Sequence, residues 1–231
     1  MPDSRRVVRF ATEAAVIVVS ILLAFWIDAW WDSSQARRSE AVVLESIRGE
    51  AEQNRIDLDE LLERSDAQLA RINMFLSATP DELRGLPQDS VLPWLSAMVI
   101  TWTFDADDSA AGLFLDSSTP VTPEAREVRG VLARWVRIVD DLEEEKSSLW
   151  DLGVDLATRL ATHLAPTVEG DPGMIHMIAA RQGAGLLSRL RDDRVFVAVL
   201  LNKAHYQGVY TLELEDASAA LDSLRSAARL E

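Results

Sequence analysis

The chain has 231 residues, of which 48% are hydrophobic and 26% are charged, so it is long enough and apolar enough to fold around a core. Its formal net charge of −15 disfavours nucleic acid as a partner, because phosphate groups need Lys and Arg opposite them. The absence of cysteine excludes a disulfide framework, a thiol nucleophile and any metal site built on cysteine.

The first predicted element is an apolar segment near the N-terminus. Residues 14–27 contain one Ser and no charge, and the wider segment 10–31 has only four polar members. At 1.5 Å per residue this wider segment extends about 33 Å, close to the hydrocarbon thickness of a bilayer. Three Trp side chains cluster at its far end, as in an interfacial aromatic belt. We therefore predict a transmembrane helix over residues 10–31 and a lipid bilayer as one partner.

The charges that flank this helix predict its orientation. Arginines precede it and carboxylates stand at its far end, so the positive-inside rule places residues 1–9 in the cytoplasm. Residues 32–231 are then exported from the inner membrane, as a periplasmic or extracellular domain. The side chains that this prediction assigns to the membrane interface are Arg5, Arg6, Arg9, Glu13, Trp26, Asp28, Trp30 and Trp31.

Two other interpretations of the apolar segment remain open at this stage. A cleaved signal peptide is one, because Ser34-Gln35-Ala36 has the small-x-small form of a cleavage site. The carboxylates and Trp residues between the apolar run and that site argue against it. A buried helix of a soluble fold is the other. We favour a retained anchor.

A long helical pattern follows the apolar segment. In a heptad frame that starts at Leu44, seven of the ten inward positions are apolar. The ten positions are Leu44, Ile47, Ala51, Asn54, Leu58, Leu61, Ser65, Gln68, Ile72 and Phe75. The stripe is narrow near the membrane, as in a coiled-coil seam, and widens further out, as in a bundle helix. We predict a helix over 34–77 that ends before Pro80 and that continues the membrane helix without a joint.

Further helices follow in the second half of the chain. Pro93 and Ser109 indicate the starts of short helices, and Thr122-Pro123 indicates the start of a long helix to residue 164. A loop over 166–173 and short helical pieces over 174–190 precede a last helix over 192–229. Its predicted core face consists of Phe196, Val199, Leu200, Tyr206, Tyr210, Leu214, Ala217, Leu221, Leu224 and Ala228.

The predicted fold is therefore all-α. A transmembrane helix leads into one exported domain, residues 32–231, which forms an elongated antiparallel bundle of three long helices with shorter helical pieces.

Part of the chain resembles a known family. Glu13, the run ILLA at 21–24, Ile27 and Trp30 resemble the start of an uncharacterised bacterial family of single-pass membrane proteins, defined only as a domain of unknown function. Members continue into a long helix and a Thr-Phe-x-Pro-x-x-Ser segment, which corresponds here to residues 103–109. Positions where this chain departs from the family pattern of Asn, Asn and Pro are Asp28, Ala29 and Ala106. The resemblance implies an anchor and a helical exported domain, and it implies no activity.

The sequence indicates no catalytic, cofactor-binding or metal site. The three histidines, His163, His176 and His205, lack metal-ligand spacing, and the signatures of hydrolases, NTPases and dinucleotide enzymes are absent. We interpret the acids of 105–108 as a helix-capping loop, and the acidic run 140–145 as a solvated face. The remaining Trp residues are expected to pack in the core or at the bundle ends.

Two functions of different classes fit these features. The first is a membrane-anchored interaction or structural protein of the bacterial envelope, without catalytic activity, that binds a protein partner or another copy. The second is a sensory bundle that binds a ligand between its helices and signals through a membrane partner. A buried pocket between helices would favour the sensor, and exposed apolar surface would favour the interaction protein.

Overall fold

The computed structural model describes residues 4–116, 120–164 and 183–228, with the side chains of 4–12 and of Ala14 outside this description. Every regular element in these ranges is helical, which confirms the all-α prediction for them. The helices are α1 (Ser4–Ser77), α2 (Pro80–Arg84), α3 (Val91–Val99), α4 (Ser109–Asp116), α5 (Pro123–Thr162), α6 (Ala184–Asp192) and α7 (Arg194–Ala227). The loop predicted over 166–173 and the pieces over 174–182 lie outside the described residues.

Helix α1 is a single element of 74 residues, so the predicted membrane helix and the following helix are continuous. At 1.5 Å per residue it extends about 110 Å. Residues 15–27 of this helix carry no charge and are exposed on all sides, with Phe25 67% exposed and Leu22 62% exposed. Among the described residues, α1 is the one helix long and apolar enough to cross a membrane, and none of its apolar stretch is buried. This exposure argues against the buried soluble helix.

The outer part of α1 packs with the face that the heptad pattern predicted. All ten predicted inward positions from Leu44 to Phe75 are buried, including the polar Asn54, Ser65 and Gln68. The residues that α1 contacts on α7 run in descending order: Arg48 lies beside Ala228, and Ser65 lies beside Thr211.

Helix α5 packs against α7 more extensively than any other two helices of the described fold pack together. Arg159 of α5 contacts Asp193 at the start of α7, and Glu145 of α5 lies close to Glu213 further along α7. Ascending positions on α5 therefore meet descending positions on α7.

The core consists of two apolar clusters along the bundle axis. The first cluster lies nearer to the apolar segment of α1 and includes Leu44 to Leu61, and the second lies further along α1 and includes Ile72 and Phe75. Between them, α1 contributes Ser65 and Gln68, and α7 contributes three further buried polar residues. We call this set the polar layer, and it consists of Ser65, Gln68, Lys203, Gln207 and Thr211.

The long helix ends at Ser77, before Pro80, as the pattern predicted. Pro80 then begins the short helix α2, where Thr79 and Glu82 form a reciprocal capping box. Ser109 is the first residue of α4. A carboxylate from another helix caps α4, because Glu50 of α1 accepts hydrogen bonds from the amides of Ala110 (2.6 Å) and Ala111 (3.2 Å). This second cap depends on a tertiary contact that local sequence does not contain.

Candidate functional site

The residues predicted to lie at the membrane interface all belong to α1. Arg5, Arg6 and Arg9 lie on its first turns, where only the backbone is described. Glu13 and Asp28 are exposed. The Trp side chains are exposed as well, by 65% at Trp26, 53% at Trp30 and 60% at Trp31. This surface would face water in a soluble protein, so its composition supports contact with lipid.

Lys203 is the most unusual group in the described part of residues 32–231. It is fully buried in the middle of α7, and its Nζ donates to the carbonyl oxygens of Met98 (3.1 Å) and Ile100 (2.8 Å). No carboxylate forms an ion pair with it among the described residues. Burial lowers the pKa of Lys203 to about 7, since desolvation disfavours the ammonium form. An amine of this kind is rare in a domain core and marks a candidate functional site.

The end of α3 explains why a lysine is tolerated there. The last carbonyl groups of a helix have no intrahelical partners and carry partial negative charge. Gln68 of α1 donates from Nε2 to the carbonyl oxygens of Ala97 (2.8 Å) and Ile100 (2.5 Å). The Ile100 oxygen also accepts a hydrogen bond from Lys203. The two side chains therefore cap α3 and tie it to both α1 and α7.

The rest of the polar layer is hydrogen-bonded only in part. The side-chain amide of Gln207 donates to the Ser65 hydroxyl (2.6 Å), which also contacts the Thr211 hydroxyl (2.6 Å). The Thr211 hydroxyl donates to the backbone carbonyl oxygen of Gln207 (2.8 Å). The amide oxygens of Gln68 and Gln207 are buried without a hydrogen-bond partner in the described structure. Each unpaired acceptor costs about 1–3 kcal/mol, so this layer is the least satisfied part of the core.

An apolar groove lies directly beside Lys203. We call it the Gly153 groove; it has a volume of about 300 Å³ and is lined by Val99, Ile100, Thr101, Trp150, Gly153, Val154 and Ala157. A Cβ atom placed on Gly153 would lie 2.9 Å from the Val99 carbonyl oxygen and 4.0 Å from Lys203 Nζ. The absence of a side chain at Gly153 therefore lets α5 approach the end of α3. It also brings the α5 backbone at Gly153 close to Lys203 Nζ.

A second groove lies on the opposite side of the α3 terminus. The Arg64 groove has a volume of about 370 Å³ and is lined by Arg64, Ala67, Gln68, Arg71, Pro93, Ser96, Ala97 and Trp102. The Arg64 guanidinium stacks over the Trp102 ring at 5.0 Å from its centroid and also pairs with Glu60. The carboxyl end of α3 therefore separates an apolar groove next to a lysine from a groove with arginines at its rim.

A pair of carboxyl groups lies where α5 meets α7. Glu213 is half-buried, and one of its oxygens has no hydrogen-bond partner in the described structure. Burial, and then the neighbouring Glu145, raise the pKa of Glu213 to about 7, with smaller effects from Asp141 and Glu144. The predicted solvated face over 140–145 is therefore mostly exposed, but one of its members faces a carboxyl group in the bundle.

Replacing Glu213 with Gln should remove a loss of stability that the native protein suffers as pH rises. The folded pKa of Glu213 lies above its ordinary value of 4.5, so the folded state binds more protons and loses stability from about pH 4.5 to 7. At pH 8 we expect E213Q to melt on the order of 2–4 °C higher than the native protein. Thermal unfolding at pH 4.5 and pH 8 tests this, with Glu215→Gln, an exposed site on the same helix, as the control. An equal difference between E213Q and native protein at both pH values would contradict it.

The other chemical candidates of the sequence serve structural roles where they are described. His163 contacts Asp193 (2.7 Å), which also binds Arg159 and caps α7, and these partners hold the pKa of Asp193 far below its usual range. His205 is exposed beside Tyr206, and His176 lies outside the described residues. No cluster of three or more potential metal ligands occurs in the described part of the chain.

The aspartates of residues 105–108 match the capping interpretation only at Asp107. Asp107 accepts hydrogen bonds from the hydroxyl (2.6 Å) and the amide (3.5 Å) of Ser109 at the start of α4, whereas Asp105 pairs with Lys146. Of the Trp residues, Trp135 is buried against Phe104, whereas Trp150 is 63% exposed, so the expectation of core packing is wrong for Trp150.

The predicted core face of α7 needs one correction and five additions, which are Lys203, Gln207, Thr211, Ala220 and Ala227. Tyr206 is 39% exposed and does not belong to the core. Lys203 and Gln207, one turn apart, are buried in its place. Sequence periodicity missed Lys203 and Gln207 because it assigns polar residues to the solvent-exposed face. The one signal in the sequence was that positions 203 and 207 fall at helical spacing between the core residues Leu200 and Tyr210.

Comparisons with protein-family models, with curated proteins and with solved structures found no match. The resemblance to an uncharacterised membrane-protein family therefore stays a prediction, and the function has to be argued from the molecule itself.

Proposed function

We propose that this protein is a membrane-anchored interaction or structural protein of the bacterial envelope, without catalytic activity. One observation carries the proposal: α1 is an unbroken helix in which residues 15–27 are uncharged and exposed on all sides, and in which the later part forms one wall of the bundle core. A membrane segment that is continuous with a core helix fixes the domain to the bilayer without a flexible linker. Such a connection suits a protein that holds a surface at a set distance from the membrane.

The contacts of α1 give that distance. Among the described residues, the first long-range hydrogen bonds beyond the Trp residues are at Glu40, which accepts from the amides of Val121 (2.8 Å) and Thr122 (3.0 Å). Glu40 lies nine positions after Trp31 on the helix, or about 14 Å along its axis. We place residues 1–9 in the cytoplasm, one span in the inner membrane, and the bundle in the periplasm or outside the cell, following the flanking charges.

The architecture that we infer for residues 32–231 is an elongated antiparallel bundle of α1, α5 and α7. The opposed order of contacts between α1 and α7, and between α5 and α7, supports it. The unbroken helix through Ser34–Ala36 supports a retained anchor over a cleaved signal peptide, since a peptidase acts on extended chain.

Exposed apolar side chains on the bundle support a protein partner or a second copy of the chain. Trp150 and Val154 lie one turn apart on α5 at 63% and 50% exposure, and Leu212 of α7 is 63% exposed. Exposed aromatic residues are favoured anchors of protein interfaces.

Photo-crosslinking in native membranes tests this function. A photoreactive residue at Trp150 or Leu212 of the full-length chain should give a discrete adduct of higher mass. The same residue at the exposed Asp216 of α7 serves as the matched control and should give less. If every position yields only the uncrosslinked chain, the interaction function is contradicted.

Asp28 gives a separate prediction for association within the membrane. It stands at the outer end of the apolar stretch, three residues before Trp31, and a carboxylate there must reach water, take up a proton or find a partner in another chain. If Asp28 lies at a helix–helix contact, Asp28→Leu should change the size of the detergent-solubilised particle, whereas Asp28→Asn, which keeps the hydrogen bonding, should not. Size-exclusion chromatography with light scattering measures this. Identical particles for all three proteins would leave Asp28 a headgroup-level residue.

A ligand-binding sensory bundle is the second candidate function. The observation that favours it is the Gly153 groove, which lies between helices and next to a buried lysine. A ligand there would contact the end of α3, which Gln68 connects to α1 and hence to the membrane. Saturable binding of a small molecule without any crosslinked partner would favour the sensor over the interaction protein.

A further inference from the structure

A pocket lies on α1 where its apolar stretch ends. We call it the Trp30 pocket; it has a volume of about 300 Å³ and is lined by Trp30, Trp31, Ser34, Gln35 and Arg38. These positions are one and two helical turns apart, so all five side chains share one side of the helix. The pocket therefore combines two indole rings with a hydroxyl, an amide and a guanidinium group.

The Arg38 side chain belongs to the same pocket as the Trp rings although its backbone lies further along the helix. Arg38 follows Trp31 by seven positions, which is about 10 Å along the axis and within about 20° of the same direction. Side chains of an α-helix lean toward its N-terminus, and here that is the end that carries the apolar stretch. The guanidinium group therefore extends back toward the indole rings, in agreement with its place in the pocket lining.

The polar side chains of the Trp30 pocket are not engaged elsewhere in the protein. Those of Ser34, Gln35 and Arg38 form no hydrogen bond or ion pair within the part of the chain that the structure describes. Asp32, the nearest carboxylate on the side of the apolar stretch, lies about 120° away around the helix. The N–H donors of Arg38 are therefore free to bind an anion from outside the chain.

The position of the pocket along α1 matches the headgroup layer of a bilayer. Trp31 marks the end of the apolar stretch, and about 14 Å of helix separates it from Glu40, where the long-range hydrogen bonds begin. A headgroup layer is roughly 5–8 Å thick on each side of the hydrocarbon, so it fits within this interval. Phospholipid phosphate groups would thus surround α1 at the level of the pocket.

We propose that the Trp30 pocket binds the phosphate group of a membrane phospholipid. Arg38 supplies the counter-charge, Ser34 and Gln35 donate further hydrogen bonds, and the indole rings lie against the glycerol and the first acyl carbons. This inference rests on the proposed membrane anchor and adds a specific ligand site to it. It does not depend on which leaflet contains this end of the helix.

The order of groups along the helix favours a phospholipid over a free phosphate ion. The cationic side chain lies on the side of the bundle, and the indole rings lie on the side of the apolar stretch. A phospholipid presents its charged and apolar parts in the same order, so both halves of the pocket are filled. A phosphate ion would contact only the polar half and leave the indole rings uncovered.

Native mass spectrometry of the full-length protein in detergent micelles tests the proposal. The probe is dioleoylphosphatidylglycerol, and dioleoylglycerol has the same acyl chains without the phosphate. A cationic side chain near an anionic lipid surface contributes about fivefold to the affinity, so Arg38→Gln should bind the phospholipid about fivefold more weakly than the native protein. Arg38→Lys, which keeps the charge, should restore most of this affinity, and dioleoylglycerol should bind the native protein and Arg38→Gln alike.

Arg37→Gln is the matched control, because it removes the same charge from the neighbouring position, which does not line the pocket. It should weaken phospholipid binding by less than about twofold. Equal losses in Arg37→Gln and Arg38→Gln, or no loss in Arg38→Gln, would overturn the proposal. Glycerol 3-phosphate, the headgroup without acyl chains, should bind far more weakly than the lipid, and equal affinity would overturn a phospholipid site as well. Sedimentation of the chain with carbonate-washed membranes tests the anchor separately, since that retention does not require the pocket.

Discussion

Replacing Gly153 with alanine should destabilise the helical domain by about 1–3 kcal/mol, although alanine is the better helix former. The added Cβ would lie 2.9 Å from the backbone carbonyl oxygen of Val99 and 3.2 Å from the Thr101 hydroxyl. A backbone carbonyl cannot rotate away as a flexible side chain does, so α5 and the end of α3 have to separate. That movement also disturbs the Lys203 and Gln68 hydrogen bonds to the same helix end.

Gly130 provides the matched control on the same helix. It is exposed, and a Cβ placed there meets nothing within 4 Å. G130A should therefore show only the gain in helix propensity, about 0.5–1 kcal/mol of added stability. Urea unfolding followed by circular dichroism measures both variants. Equal stabilisation by G153A and G130A would contradict the close approach of α5 to α3.

The second large effect concerns the pH dependence of stability. The pKa of Lys203 falls from 10.5 to about 7 on folding, so the unfolded chain binds more protons between these values. Stability should therefore rise with pH in this range, by about 2–3 kcal/mol between pH 7 and 9.5. In Lys203→Met this rise should be absent. Below pH 7 both states are protonated, and the contribution of Lys203 should no longer change with pH.

Denaturant midpoints at pH 6, 7, 8 and 9.5 for the native protein and Lys203→Met measure this difference directly. Lys146→Met is the control: its pairing with Asp105 raises the folded pKa of Lys146, so its contribution is constant below the ordinary value of 10.5. The native protein and Lys146→Met should show the same rise between pH 7 and 9.5. A parallel rise in Lys203→Met would mean that Lys203 does not carry the effect.

The fold could be predicted best where the structure depends on a pattern within one continuous segment of the sequence. The heptad positions of α1 are all buried, including the polar Asn54, Ser65 and Gln68, because their spacing rather than their polarity puts them on the inner face. The start of α5 at Pro123 followed from the local capping chemistry of Thr122, which accepts a hydrogen bond from the Ala125 amide (3.1 Å).

The candidate site could not be predicted, because it depends on contacts between distant segments. Lys203 can be buried because its Nζ donates hydrogen bonds to carbonyl oxygens at the end of α3, about a hundred residues away in sequence. The sequence prediction placed Tyr206 in the core instead of its neighbour Gln207, because it chose the more hydrophobic of the two residues. Gly153 appears in the sequence only as a weak point of a long helix, whereas in the fold it allows α5 to meet α3.

The central claim, a retained anchor with an exported bundle, is tested most directly by labelling single cysteines. The chain has no native cysteine, so Ser4→Cys and Ser226→Cys each carry one thiol, before the apolar segment and near the end of α7. A membrane-impermeant maleimide added to intact spheroplasts should label Ser226→Cys at once and Ser4→Cys only after lysis, with both proteins sedimenting with the membrane after a carbonate wash. Labelling of Ser4→Cys but not Ser226→Cys before lysis, or release of the chain into the carbonate supernatant, would contradict the account.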